Sequence, residues 1–368
     1  PTSRILLLLA ATETASVEGI SAAGASPRSR RQTAAADAEL LLLGPLAERA
    51  HGLPPLPAGV TPALISHVVL RDLGLLAHTQ VVDLGCPVAP AIPHLRLPAL
   101  EGGAPARCLS TGKAMDPGRV QALLARGLGW GERLGRLDAA GGLSPSPLVV
   151  AECVPGGTTT ALAVLEGLGI RAQGLVSGSL RHPAHGLKAA LVGQGLAAAN
   201  PMGVQGTNQA WDPLALVAAV GDPMQPLAAG LVLGAAAQGV PVLLAGGSQM
   251  AAVLALALAI APAEGRPALL ELVQVATTAW VAQDRGSNLA LLLERIAGRW
   301  GLGQPLVPQV AGLRFSDCRS RALRDYERGY VKEGVGAGGL ALLWERCGHS
   351  PQALASACDA LCWQWLGA

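Results

Sequence analysis

The chain has 368 residues, 51% of them hydrophobic and only 14% charged, enough apolar mass for one large domain or two ordinary ones with a sizeable core. Aromatic residues make up 3%, so the core has to be aliphatic, and the base-stacking rings of single-strand nucleic-acid binders are missing. The net charge of +2, with Arg28-Ser29-Arg30-Arg31 as the one short basic cluster, also argues against a nucleic-acid partner.

The run Ile5–Leu9 is too short, and too soon interrupted by Thr12-Glu13-Thr14, for a signal peptide. Residues 4–10 are therefore expected as a buried strand. The loop 19–37 is rich in small residues. Its Ser21-Ala22-Ala23-Gly24 could approach a ligand closely, although the spacing alone reads as a plain loop.

Further strands are expected at 80–84, 147–152, 172–177, 240–245 and 268–275. Helical spacing falls at 119–134, 158–168, 212–219, 224–238 and 287–298. The apolar run 251–263 is well short of the roughly 20 residues that cross a bilayer, so it is expected as a buried helix. This alternation predicts βαβ units around a parallel sheet covered on both faces. The Pro- and Gly-rich segment 85–118 is too long for an ordinary connection and is expected to line or cover a site. The chain is expected to be soluble and cytoplasmic. Its seven scattered cysteines read as reduced thiols, and Cys358-x-x-x-Cys362 lacks the second pair a zinc site needs.

Two segments share one construction. PLVVAECVPGGTTTALAVL and PVLLAGGSQMAAVLALAL each run from an aliphatic strand through Gly-Gly and a hydroxyl residue into an Ala/Leu helix. In a parallel sheet both turns, Gly156-Gly157 and Gly246-Gly247, should face one crevice at the carboxyl ends of the strands. Backbone N–H groups there would suit an anion; the plainer reading is a pair of tight turns.

Against 24 arginines there are three lysines, Lys113, Lys188 and Lys332. Lys188 follows a predicted strand end and could reach a phosphate. Near the C-terminus, Gly334, Gly336 and Gly339 match GxGxxG, but polar residues rather than a strand precede them, which excludes a dinucleotide fingerprint. No GxxxxGK[ST], HExxH or Gly-x-Ser-x-Gly is present, and Pro183 spoils helical presentation of His182 and His185. Glu333 stands before the glycine turn. Partial burial would raise its pKa toward the range of a general base; alternatively it is a first-turn glutamate favoured by the helix dipole.

Taken together, these residues resemble the nicotinate-nucleotide–dimethylbenzimidazole phosphoribosyltransferases of cobalamin lower-ligand assembly, closest to their divergent archaeal and cyanobacterial branch. The family's Glu-Met-Gly-Ile-Gly-Asn-Thr-Thr corresponds to residues 152–159, its Pro-Val-hydrophobic-Asp-Gly-Phe-Ile to 241–248, and its Gly-Glu-Gly-Thr-Gly-Ala to 332–337. Asp83-Leu84-Gly85 matches a strand-ending Asp-Val-Gly. Four departures stand out. Ala245 replaces the family's Asp, Gly157 replaces its Asn, and ATTAWVAQDRGSN at 276–288 stands where Gly-Ser-His-x-Ser-Ala-Glu is expected. An N-terminal Lys-Pro-x-Gly-Ser-Leu-Gly element is missing.

The resemblance implies a three-layer, Rossmann-like α/β fold and a homodimer. Residues 60–320 would form the large nucleotide-binding domain, and 1–59 with 321–368 a smaller helical portion completing the site. It implies Glu333 as catalytic base, with Gly156, Gly157, Thr158, Thr159, Lys188, Gly246, Gly247 and Ser248 at the donor's phosphate and ribose. Glu152, Ser21, Gly24, Gly334 and Gly336 would be further substrate contacts. The implied reaction moves the ribose phosphate of nicotinate mononucleotide to an aromatic nitrogen base, giving an α-ribotide with no metal or cofactor. Two alternatives stay open: another acceptor such as adenine, and a non-catalytic nucleotide-binding or regulatory protein.

Overall fold

The computed structural model describes residues 3–141, 145–200 and 211–367. Its centre is a seven-stranded sheet in the order β3-β2-β1-β4-β5-β6-β7, every pair parallel. The strands are β1 Arg4–Leu9, β2 Thr79–Asp83, β3 Leu95–Arg96, β4 Leu148–Cys153, β5 Val242–Ala245, β6 Val273–Thr278 and β7 Gln309–Ala311. Both faces are covered, which is why the inner strands read as unbroken aliphatic runs rather than alternating ones.

The pleat divides each strand between two cores. Leu8, Val82, Val150 and Leu244 join one, under the helices Pro117–Ala140, Gly157–Gly167, Pro213–Val220, Met224–Ala236, Ser248–Ile260 and Leu289–Arg299. Leu7, Leu9, Val81, Val149, Ala151 and Ala245 join the other, under Thr33–Leu43, Ala63–Asp72, Ala337–Arg346 and Pro351–Leu366. The result is a three-layer α/β fold. In the first layer, Pro117–Ala140 and Met224–Ala236 cross with their backbones touching: a Cβ on Gly127 would stand 2.2 Å from the Leu227 carbonyl oxygen.

Both chain ends contribute to the second layer, but a boundary at residue 59/60 does not separate them from the large unit. β1 lies inside the sheet between β2 and β4, and Ala63–Asp72 packs with the two C-terminal helices.

Two sequence expectations are corrected. Residues 172–177 form a loop with a turn at 173–175, because Gly174 takes φ +75 and the Glu166 carboxylate receives the N–H groups of Ala172 and Gln173. The stretch 268–275 divides into a helix, Arg266–Leu272, opened by a proline in its first turn, and the strand β6. Among the described residues no helix is long and apolar enough to cross a membrane.

Candidate active site

A cavity of about 440 Å³ opens at the carboxyl ends of the central strands. Glu333 forms part of its wall, at the start of the last layer's inner helix. The backbone leading to that helix is unusual: Val331, Lys332 and Val335 have φ of +65, +69 and +53, and Gly334 and Gly336 have +146 and +76. Each left-handed L-residue costs roughly 1–2 kcal/mol, so tertiary contacts must impose this path. Four do. Lys332 Nζ donates to Asp284 Oδ2 at 2.7 Å, and Thr278 Oγ1 donates to the Lys332 carbonyl at 2.7 Å. Val335 N–H donates to the Glu152 carbonyl at 3.0 Å, and Ser66 Oγ donates to the Val335 carbonyl at 2.8 Å.

The Glu333 carboxylate is thereby aimed and held. Oε2 accepts from Thr278 N at 2.9 Å and Thr277 Oγ1 at 3.1 Å; Oε1 accepts from Gly338 N at 3.0 Å and Gly334 N at 3.2 Å. Burial pushes its pKa above the ordinary carboxylate value, and these four donors pull partly back. A half-buried carboxylate of raised basicity facing a cavity fits a general base.

Gly336, Gly338 and Gly339 serve close packing rather than ligand approach. A Cβ on Gly338 would meet the Thr277 carbonyl carbon at 2.2 Å, and one on Gly339 would meet Ala245 Cβ at 2.4 Å. A Cβ on Gly336 would meet Ala151 Cβ at 2.7 Å. The helix Ala337–Arg346 thus rests directly on the ends of β4, β5 and β6. Ala245, where the family motif carries Asp, lies fully buried beneath it.

The two Gly-Gly turns do meet at this cavity, but not as open nests. Gly157 N–H donates to the Val154 carbonyl at 2.9 Å and Gly246 N–H to the Ala276 carbonyl at 2.8 Å, so neither is left for a phosphate. Gly156 (φ +80), Thr158, Gly247 and Ser248 line the cavity. A side chain at 157 would collide with the Gln249 carboxamide, whose Oε1 stands 1.9 Å from the Cβ position. That carboxamide fills the space an Asn would occupy. Thr159 is buried away from the cavity, its hydroxyl without a hydrogen-bond partner among the described residues.

Lys188 is buried behind the wall. Its Nζ donates to Thr158 Oγ1 at 2.9 Å and to the Ser177 carbonyl at 3.0 Å. Burial lowers its pKa to about 8, with Lys332 nearby adding to the drop and Asp284 opposing it. Lys188 does not itself line the cavity, whereas Thr158, to which it donates, does. Ser21 reaches the cavity beside Ser179, their hydroxyls 3.2 Å apart. Gly24 does not: it makes a turn whose carbonyl accepts from Arg30 Nε. Gly334 lines the cavity and Gly336 does not.

Glu152 is a second carboxyl in the cavity wall. Burial raises its pKa to about 8; the Val154 N–H on Oε2 at 2.9 Å opposes this, and the charges of Asp222 and Glu333 add to it. Asp37, also lining the cavity, is raised by burial to about 6 while accepting from Thr61 Oγ1 at 2.6 Å.

Several site residues were not anticipated. Thr277 and Thr278 lie at the carboxyl end of β6, where the strand-end rule alone pointed. Asp284 and the apolar wall of Leu53, Leu56 and Trp365 come together only through the tertiary fold. Segment 85–118, expected to line or cover the site, contributes nothing to this cavity. It packs around the β2 edge, where Arg119 binds the carbonyls of Leu84 and Glu101 and Asp83 Oδ1 receives the Gly85 and Cys86 N–H groups.

Residues 69–266 match the phosphoribosyltransferase family, and the chain belongs to that family. It is 50% identical over 361 residues to a UPF0284 protein of Parasynechococcus marenigrum (strain WH8102), covering 96% of this chain and 85% of that one. It is 49% identical over 369 residues to a UPF0284 protein of Prochlorococcus marinus (strain MIT 9313), covering 99% and 86%. Among solved structures the fold is similar to CobT from Thermus thermophilus, with TM-score 0.55 and 20% identity over 99% of this chain and 86% of that one. A nicotinate-nucleotide-dimethylbenzimidazole phosphoribosyltransferase structure from the same organism gives TM-score 0.52 and 19% identity over 100% and 86%.

Proposed function

We propose that this phosphoribosyltransferase moves the ribose phosphate of nicotinate mononucleotide to an aromatic nitrogen base, with Glu333 as the general base. The family match ends at residue 266, so the case for Glu333 rests on one observation: its carboxylate, of raised basicity, is held by four donors in the cavity wall. The same cavity offers the hydroxyls of Thr158, Ser179 and Ser248 for a sugar phosphate. Leu53, Leu56 and Trp365 offer an apolar wall for a flat ring. Its volume suits a small organic ligand.

In this reading Glu333 takes the ring N–H proton of the acceptor. The freed nitrogen lone pair forms a bond to ribose C1′ as the C1′–nitrogen bond to nicotinate breaks, and inversion gives the α-ribotide. The protein contributes mainly alignment and charge placement around an oxocarbenium-like carbon.

The direct test is incubation with nicotinate mononucleotide and a panel of bases including dimethylbenzimidazole and adenine, following free nicotinate. Release that depends on an acceptor and is lost in Glu333→Gln supports the proposal. Tight binding of the nucleotide with no release across the panel would instead favour a non-catalytic nucleotide-binding protein.

A further inference from the structure

Lys332 occupies a left-handed position, φ +69, that glycine takes without strain, and the matching residue of the family motif is glycine. A turn alone therefore gives no reason for a lysine there. Its ammonium is buried, with 1% of the side chain exposed, and so is its partner, Asp284, at 6%. Asp284 is a hub. Besides Lys332, its Oδ2 accepts from Ser177 Oγ at 3.0 Å and Ser287 Oγ at 2.8 Å, and its Oδ1 from Gly286 N at 3.0 Å. Ser177 continues the path: its carbonyl accepts from Lys188 Nζ, which also donates to Thr158 Oγ1. A chain of hydrogen-bonded residues, passing through the backbone of Ser177, thus runs from the residue beside Glu333 to the hydroxyl of the Gly-Gly-Thr turn.

We propose that Lys332 and Asp284 are positioning residues. Their buried ion pair fixes the left-handed segment 331–336 so that Glu333 faces the cavity, and ties that segment to Thr158 at the other turn. The inference rests on the reading of Glu333 as the general base. Neither residue is asked to touch the reacting atoms. Surface ion pairs contribute little, but breaking a buried one strands a charge, so the pair constrains geometry strongly.

The test uses Lys332→Gly, which keeps the turn permissible, and the nearly isosteric Asp284→Asn, with thermal unfolding confirming that both fold. The primary readout is the Glu333 carboxyl titration, taken from infrared difference spectra against Glu333→Gln, which needs no turnover. Glu152 on β4 and the neutral Tyr326 are also coupled to Glu333, and both are unchanged in the variants. Removing the positive charge of Lys332 would by itself raise the Glu333 pKa. Loss of positioning gives up the four donors, which by itself also raises it, but exchanges burial, the larger cause, for water. Its net effect is a fall toward the ordinary carboxylate value, opposite in sign to the charge effect in Lys332→Gly.

The expected result is a fall of about half a unit or more in both variants. The kcat for nicotinate release should drop about tenfold or more, with KM for the nucleotide changed much less, and the double variant should be no worse than either single one. A Glu333 pKa that stays put or rises in Lys332→Gly overturns the proposal, whatever the protein transfers. If the titration moves as expected while the wild-type protein releases no nicotinate with any base, the positioning stands and the assigned reaction fails.

Discussion

Thr278 grips the Glu333 segment at two points, its N–H donating to Glu333 Oε2 at 2.9 Å and its hydroxyl to the Lys332 carbonyl at 2.7 Å. The first bond aims the carboxylate; the second pins the strained backbone next to it. Thr278→Val keeps the first and the side chain's shape, but it loses the second, leaving a buried carbonyl unsatisfied, together with the weaker cap bond that the hydroxyl accepts from Val281 N at 3.3 Å. Its stability should fall by about 1–3 kcal/mol in urea unfolding, and nicotinate release should slow because Glu333 loses part of its support. An unchanged urea midpoint would mean that the hydroxyl does not hold the segment.

The contact between Gly339 and Ala245 sets a second expectation. A methyl on Gly339 would press on Ala245 Cβ at 2.4 Å and Cα at 2.8 Å, and neither can retreat from the sheet. Gly339→Ala should cost about 1–3 kcal/mol. Ala245→Asp, which restores the family's residue, should cost more, because it adds a carboxylate to a fully buried position under the helix. Denaturant midpoints of the two variants check the order. If Ala245→Asp were as stable as the natural chain, the helix would not rest on β5 as described.

Much of this architecture could be read from the chain. The unbroken aliphatic runs at 4–10, 80–84, 147–152 and 240–245 are strands because both faces of the sheet are covered, and the Ala/Leu stretches between them are helices. The glutamate before the glycine turn and the two Gly-Gly turns do line one cavity. The rest depends on partners far apart in sequence. Nothing near Gly157 announces that Gln249 occupies its side-chain space, and nothing near Gly246 announces that its N–H pairs with Ala276. Lys188 looked like a phosphate ligand by its loop. The fold buries it behind Thr158, a relationship fixed by helix His185–Ala199 packing against Gly157–Gly167. The 172–177 run has strand composition, yet one left-handed glycine turns it aside.

The clash at position 157 makes a paired substitution informative. Gly157→Asn alone should destabilise the protein, since its Cβ would lie 1.9 Å from Gln249 Oε1 and 2.9 Å from Val154 Cβ. Combined with Gln249→Ala, which vacates that space, much of the loss should be recovered. The coupling from a double-mutant cycle on unfolding free energies should reach about 0.5–3 kcal/mol. Additive effects would show that Gln249 is not what excludes a side chain there.

The buried carboxyl of Glu152 gives the fold a pH dependence of definite sign. Its pKa in the folded chain is about 8, against an ordinary value of 4.5, with burial the leading cause. Between those two values the folded state keeps a proton that the unfolded state has given up. Folding therefore grows less favourable as pH rises through this window, and the loss levels off above it. Glu152→Gln removes the titration while keeping a similar shape. Its melting temperature relative to the natural chain should thus be lowest near pH 5 and climb steadily to pH 8. Asp37, raised by burial to about 6, pushes stability the same way, but it is common to both proteins and cancels in the difference. Asp222, also raised by burial to about 6, and Glu333 do not cancel fully, because the Glu152 charge acts on both. Removing that charge lets Glu333 ionise more easily, which adds to the gain at high pH. A melting difference that stays flat between pH 5 and 8 would show that Glu152 ionises normally in the folded protein.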